Sequence, residues 1–130
     1  MKIAVDCDGT LAQWNDNDHN YEPGKIGEPI SAMVERVKQW LDEGVEVVIF
    51  TARVHPDSGE DAEVARKAIQ EWTLIVFGVE LEVTCMKHRS IDYFYDDRAV
   101  TVELNTGRIL TQRFEENKDD TDSIGAFFGE

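Results

Sequence analysis

Two carboxylates spaced i, i+2, Asp6 and Asp8, end the short apolar run Lys2-Ile3-Ala4-Val5, and Gly9 and Thr10 follow directly. Packing gives no reason for a buried strand to stop in two acids beside a glycine turn. In open α/β sheets, ligands bind outside the carboxyl ends of the strands, so these acids read as a site built on the end of a first strand. Two more polar clusters end apolar runs in the same way: Thr51 and Arg53 after residues 45–50, and Asp96 with Asp97 after residues 93–95. Carboxylate oxygens suit Mg²⁺, which keeps several waters and binds through one or two carboxylates plus substrate phosphate. A carboxylate can also be a nucleophile and form an aspartyl-phosphate. Thr51 and a lysine could hold phosphoryl oxygens, where positioning and charge stabilisation do most of the catalysis.

The apolar spacing predicts the elements that position these groups. Residues 2–5 read as a buried strand. Ile30, Met33, Val34, Val37, Trp40 and Leu41 share one helical face; Pro29 suits the first turn and Gly44 a left-handed stop. Residues 45–50 read as a second strand. A loop through His55, Pro56, Asp57, Ser58 and Gly59 leads to a second helix, marked by Ala62, Ala65, Ala68, Ile69, Trp72 and Val76 and stopped at Gly78. Short strands follow at residues 81–84 and 93–95. Strand–helix alternation implies a parallel sheet with right-handed crossovers. The expected fold is a single Rossmann-like, three-layer α/β domain with a central, mainly parallel sheet and a C-terminal β-hairpin.

One connection conflicts with this pattern. Residues 85–92 are too few for a parallel crossover, which needs about a dozen or more. Either one flanking strand is not a full sheet strand, or the connection is short and extended. The hairpin is expected where Asn105-Thr106-Gly107-Arg108 separates runs at residues 99–104 and 109–114. The domain is therefore placed at residues 1–114, with the polar, turn-rich residues 11–29 as a flap beside the site. Residues 115–130, carrying Glu115, Glu116, Asp119, Asp120 and Asp122, form an acidic, flexible tail, with docking of Phe127 and Phe128 left open.

Composition bounds the function. A chain of 130 residues is expected to be one domain with a single core. With 13 Lys plus Arg against 27 Asp plus Glu, the net charge of -14 argues against tight nonspecific binding to nucleic acid or an anionic membrane. Met1-Lys2 opens no signal-peptide pattern, and no apolar run reaches the length of a membrane span. Cys7 and Cys85 do not make a disulfide framework. The expectation is a reduced, cytoplasmic protein with no membrane partner. Cys7 and Cys85 read as buried thiols, Trp40 and Trp72 as core, and His19 and His55 as loop residues rather than metal ligands.

The residues now in view carry a resemblance. The chain resembles the haloacid dehalogenase superfamily, mainly its Mg²⁺-dependent phosphatases, over roughly residues 2–104. Asp6-Cys7-Asp8-Gly9-Thr10 matches that family's D-x-D-G-T element, Val48-Ile49-Phe50-Thr51 its second strand ending in Thr or Ser, Lys87 its lysine, and Phe94-Tyr95-Asp96-Asp97-Arg98 its final acidic pair. The resemblance implies that Asp6 attacks phosphorus. It implies that Asp8 protonates the leaving oxygen and then activates water. The Asp6 carboxylate, the Asp8 main-chain carbonyl and Asp97 would hold Mg²⁺, with Asp96 supporting the metal shell. Thr51 and Lys87 would hold phosphoryl oxygens, and the amides after Asp6, through Gly9 and Thr10, would add a small anion cradle. Gly9 would permit the sharp exit from the strand. Arg53 would either reach substrate or make a surface ion pair, and His88, Arg89 and Arg98 add positive charge near the same edge.

Members of the family often carry an inserted cap domain. Residues 11–29 and 52–80 are too short for one, so the chain looks like a capless member, with an open site for a large substrate or a lid borrowed from a second subunit. Thr51-Ala52-Arg53 and Asp96-Asp97-Arg98 also resemble the phosphatase domain of polynucleotide kinase-phosphatases, which act on 3′-phosphorylated nucleic acid ends. In that family a basic residue closely follows the first motif; here the stretch is the acidic Asn15-Asp16-Asn17-Asp18-His19. The charge therefore favours a phosphorylated small molecule or a nucleotide over a nucleic acid end. A non-catalytic metal-binding or interaction module on the same fold is the alternative from another class. The oligomeric state is left open.

Overall fold

The computed structural model describes residues 1–14 and 21–111. Met1–Asp97 form one compact unit and Arg98 opens a second. In the first unit, β1 (Lys2–Asp6), β2 (Glu46–Phe50), β3 (Val83–Thr84) and β4 (Tyr93–Tyr95) make one sheet in the order β3-β2-β1-β4. All of its pairings are parallel. The register sets Ala4 beside both Val48 and Phe94, so each row of side chains across the sheet shares a face.

That alternation sorts the core. Ile3, Val5, Val47, Ile49 and Val83 point to one face, where they pack with Val34 and Val37 of α1 (Ser31–Asp42) and Ala65 and Ile69 of α2 (Glu60–Phe77). Ala4 and Val48 point to the other, with Phe50, Phe94 and Ile91. Both helices lie on the first face because β1, β2 and β3 succeed one another in one direction across the sheet, and right-handed crossovers then fall on the same side. Trp40 and Trp72 are partly buried against this core, as their periodicity predicts. Gly44 and Gly78 follow the two helices with φ of +82° and +79°, matching the stops read from the sequence.

The chain returns from β3 to β4, at opposite edges of the sheet, over the second face. Both readings of the short connection hold in part: β3 is only Val83–Thr84, shorter than the expected strand at 81–84, and residues 85–92 cross without a helix, turning at Arg89 and Ser90 where the Ile91 amide donates to the His88 carbonyl at 3.0 Å, with Ile91 buried under the sheet. The third layer is therefore irregular chain in place of a helix, because the segment is too short to coil and still span two strands.

Residues 11–29 leave the sheet as a loop with a closed neck. Leu11 and Ala12 are fully buried, the Ile30 amide donates to the Leu11 carbonyl at 2.7 Å, and the Gln13 amide donates to the Glu28 carbonyl at 2.8 Å. The neck is so tight at Gly27 that a Cβ there would overlap the Gln13 carbonyl oxygen. Residues 15–20 of the expected flap, including the acidic stretch and His19, lie outside the described residues.

In the second unit, Val102 and Ile109 bridge antiparallel around a turn with Asn105 at φ +67° and Gly107 at φ +80°. The Glu103 amide donates to the Arg108 carbonyl at 2.7 Å, and the two side chains pair at 2.5 Å. The hairpin falls where the turn residues predict it. Residues 112–114 of its second run and the acidic tail at 115–130 lie outside the described residues. Among the described residues no helix is long and apolar enough to cross a membrane.

Candidate functional site

The chain leaves β1 for β2 and β3 on one side and returns to β4 on the other. The carboxyl ends of β1 and β4 therefore flank the point where the strand order reverses, the position at which open α/β sheets bind ligands. Asp6 ends β1, and Asp96 and Asp97 directly follow β4. Carboxylate oxygens of these three residues lie within 4.8 Å of one another.

Thr10 and Gly9 hold the two strand ends together. The Thr10 hydroxyl faces Asp6 Oδ2 at 3.3 Å and Asp97 Oδ1 at 3.1 Å, and it accepts the Asp97 backbone N–H at 3.1 Å. Gly9 has φ +88°, and a Cβ built there would sit 2.8 Å from Asp97 Oδ2. Both its left-handed backbone and the approach of Asp97 call for glycine. After it the loop coils tightly, with the Leu11 and Ala12 amides donating to the Cys7 carbonyl at 3.0 and 2.9 Å.

Bringing the acids together has an electrostatic cost. Burial pushes the Asp6 carboxyl up to about 8; a hydrogen bond with Asp97 and the charges of Asp96, Asp97 and Asp8 add to the rise. Hard oxygen donors converge here, and a positive charge would relieve the repulsion on Asp6. The donor set fits Mg²⁺. Beside it lies an open depression of about 320 Å³, lined by Gly9, Thr10, Ile30, Met33, Tyr95, Asp96 and Asp97. Burial, first, and the Asp8 charge, second, push the neighbouring Cys7 thiol up to about 12.

Asp8 has a different environment. Arg53 Nε donates to Asp8 Oδ2 at 2.7 Å and Nη2 to Oδ1 at 2.9 Å, a two-pronged ion pair. Nη1 donates to the carbonyls of Lys25, Pro23 and Glu22 at 2.9, 3.2 and 3.4 Å. The guanidinium lies 5.1 Å from the Tyr21 ring and 5.6 Å from the Trp14 ring. Arg53 is only 8% exposed and Asp8 is partly buried, so the surface ion pair expected for Arg53 is a part-buried one. Hydrogen bonding to Asp8 and the Asp8 charge outweigh burial and raise the Arg53 pKa further, keeping it charged.

Thr51 is buried at the end of β2, where its hydroxyl accepts the Arg53 amide at 3.2 Å and starts the short turn Ala52–Val54. Lys87 lies on the exposed connection from β3 to β4, with its ammonium 5.6 Å from the Phe94 ring, two residues before Asp96. Arg98 belongs to the second unit. His55 starts a short turn, its ring accepting the Asp57 amide at 3.0 Å, which suits the loop role read for it. The sequence reading did not foresee Trp14, Tyr21 and the carbonyls of residues 22–25 around Arg53. The signal was two aromatic rings in an otherwise polar loop. It also assigned Ile30 and Met33 to the core alone, whereas they line the depression as well.

No family model and no curated protein matches the chain. A solved structure of a conserved protein from Bacteroides thetaiotaomicron is 26% identical, covering 94% of this chain and 91% of that chain, with a TM-score of 0.49.

Proposed function

We propose that this chain is a Mg²⁺-dependent phosphomonoester hydrolase of the haloacid dehalogenase type, acting on a small phosphorylated metabolite or nucleotide. The observation that carries this reading is the meeting of Asp6, Asp96 and Asp97 within 4.8 Å at the point where the strand order reverses, with Asp8 two residues beyond Asp6. Asp6, Asp97 and the Asp8 main-chain carbonyl would hold the cation, with Asp96 beside them. Bound there, it would neutralise phosphoryl charge and keep Asp6 ionised.

The chain's own residues then divide the work. An Asp6 oxygen attacks phosphorus as the bond to the leaving oxygen breaks, and Asp8 gives that oxygen a proton. A water attacks the aspartyl-phosphate, Asp8 takes its proton, and phosphate leaves with Asp6 restored. Thr51, through its hydroxyl hydrogen, and Lys87 would hold phosphoryl oxygens. The open depression, with apolar Ile30, Met33 and Tyr95 on its wall, suits a compact organic leaving group. The -14 net charge disfavours the alternative substrate, a 3′-phosphorylated nucleic acid end.

One observation favours a second reading, a cation-holding module without turnover: both Asp8 oxygens are engaged by Arg53. Phosphate release from an aryl phosphate, with and without Mg²⁺, in wild type and Asp6→Asn separates the two. Release that requires Mg²⁺ and disappears in Asp6→Asn is the expected result. Mg²⁺ binding without release supports the module, and release unchanged in Asp6→Asn overturns the mechanism.

A further inference from the structure

Arg53 follows a strand-end threonine, and as a sequence feature it reads equally as a substrate contact or a surface charge. Its surroundings fit neither. Two nitrogens are spent on Asp8, a third on the carbonyls of Lys25, Pro23 and Glu22, and its guanidinium is flanked by Tyr21 and Trp14. Most of its donors are thus taken up within the protein, with all three nitrogens engaged by Asp8 and by backbone. What it does fix is the orientation of Asp8. A carboxylate at the end of a tight loop has free rotation about its side-chain torsions. A planar fork gripping both oxygens removes that freedom, and the fork is itself held by backbone at the neck of the 11–29 loop.

We propose that Arg53 is a positioning residue for Asp8 that aligns its carboxyl for proton transfer, and that it fastens the neck of the 11–29 loop to this group. The inference rests on the hydrolase reading, in which Asp8 serves the leaving oxygen and then water. Alignment of a proton donor matters most when the leaving oxygen is strongly basic and matters little when it departs readily as an anion. Loss of Arg53 should therefore act selectively by leaving group, which neither a substrate contact nor a scaffold would do. Lysine keeps the charge but not the fork, so it should not substitute.

The test is a series of ring-substituted aryl phosphates, from nitrophenyl to methoxyphenyl, assayed with Mg²⁺ on wild type, Arg53→Lys, Arg53→Met, Asp8→Asn and the Asp8→Asn/Arg53→Met double variant. With either Arg53 variant, kcat/KM for the most basic leaving group should fall on the order of 100-fold, the nitrophenyl ester less than about 10-fold, and kcat should carry the loss. The double variant should be no worse than Asp8→Asn alone. A partly unfolded variant loses rate equally on every ester, so the slope survives imperfect folding, and Arg53→Lys carries the test should Arg53→Met not fold. A uniform fall across the series, a loss in KM alone, or additive losses in the double variant overturn the proposal. No release from wild type with any ester, or release that persists in Asp6→Asn, overturns the hydrolase reading beneath it.

Discussion

The two acids of the Asp6-Cys7-Asp8 turn sit two residues apart and meet opposite conditions. Asp6 faces Asp96 and Asp97, and the crowding of like charge with burial drives its carboxyl up to about 8. Asp8 meets a buried guanidinium that the fold itself supplies. One half of the site thus concentrates negative charge; the other has its counter-charge built in by Arg53, in the turn that follows β2. Identical residue types at one strand end are made into different tools by which neighbouring strand supplies the partner, β4 for Asp6 and β2 for Asp8.

The contrast can be broken most sharply at Asp6. Asp6→Asn should lower Mg²⁺-dependent phosphate release by a factor on the order of 1,000 or more, as read by a phosphate assay, and should weaken Mg²⁺ binding in calorimetry. On the other side, Arg53→Met strips a partly buried carboxylate of its partner. Denaturant unfolding should show a loss of roughly 2 kcal/mol, and adding Asp8→Asn should restore part of it. Gly27→Ala tests the neck that Arg53 grips: its Cβ meets the Gln13 carbonyl, and unfolding should register a loss of about 2 kcal/mol.

A pH series sharpens the comparison further. In the unfolded chain Asp6 titrates near its ordinary 3.8, in the folded chain near 8. Between those values the fold holds a proton that the unfolded chain does not. Its contribution to metal-free stability is complete below about pH 4 and is lost as the pH climbs toward 8. The melting temperature of metal-free protein should fall over this window, Asp6→Asn should flatten the fall, and Mg²⁺ should raise the melting temperature more at pH 8 than at pH 5. The smallest effect is at the thiols: with its pKa near 12, buried Cys7 should resist alkylation in native protein at pH 8, while half-buried Cys85 reacts first.

The sheet and both helices were legible because their signals are local. Val47, Val48 and Ile49 form a continuous apolar run, and Val34 and Val37 keep helical spacing, so neither needs distant information. The acids were legible as strand-end residues, and the length of the 85–92 connection exposed a conflict with an ordinary parallel crossover while leaving two ways to resolve it. The Arg53–Asp8 pair was not legible, since it joins residues 45 positions apart and nothing in either neighbourhood names the other. The missing helix on the second face shares that cause: local pattern tells what a segment is, and only the strand order tells which face it must cross.

The neck closed by Gln13, Gly27 and Glu28 has one more consequence, for the history and engineering of such a chain. Because the loop's two ends are pinned to each other and to Arg53, extra sequence placed between Trp14 and Tyr21 is insulated from the strand register. Each doubling of a loop's length costs only about 0.6 kcal/mol. This is a natural insertion port: a place where extra sequence, or a whole new domain, could be added without renegotiating the sheet.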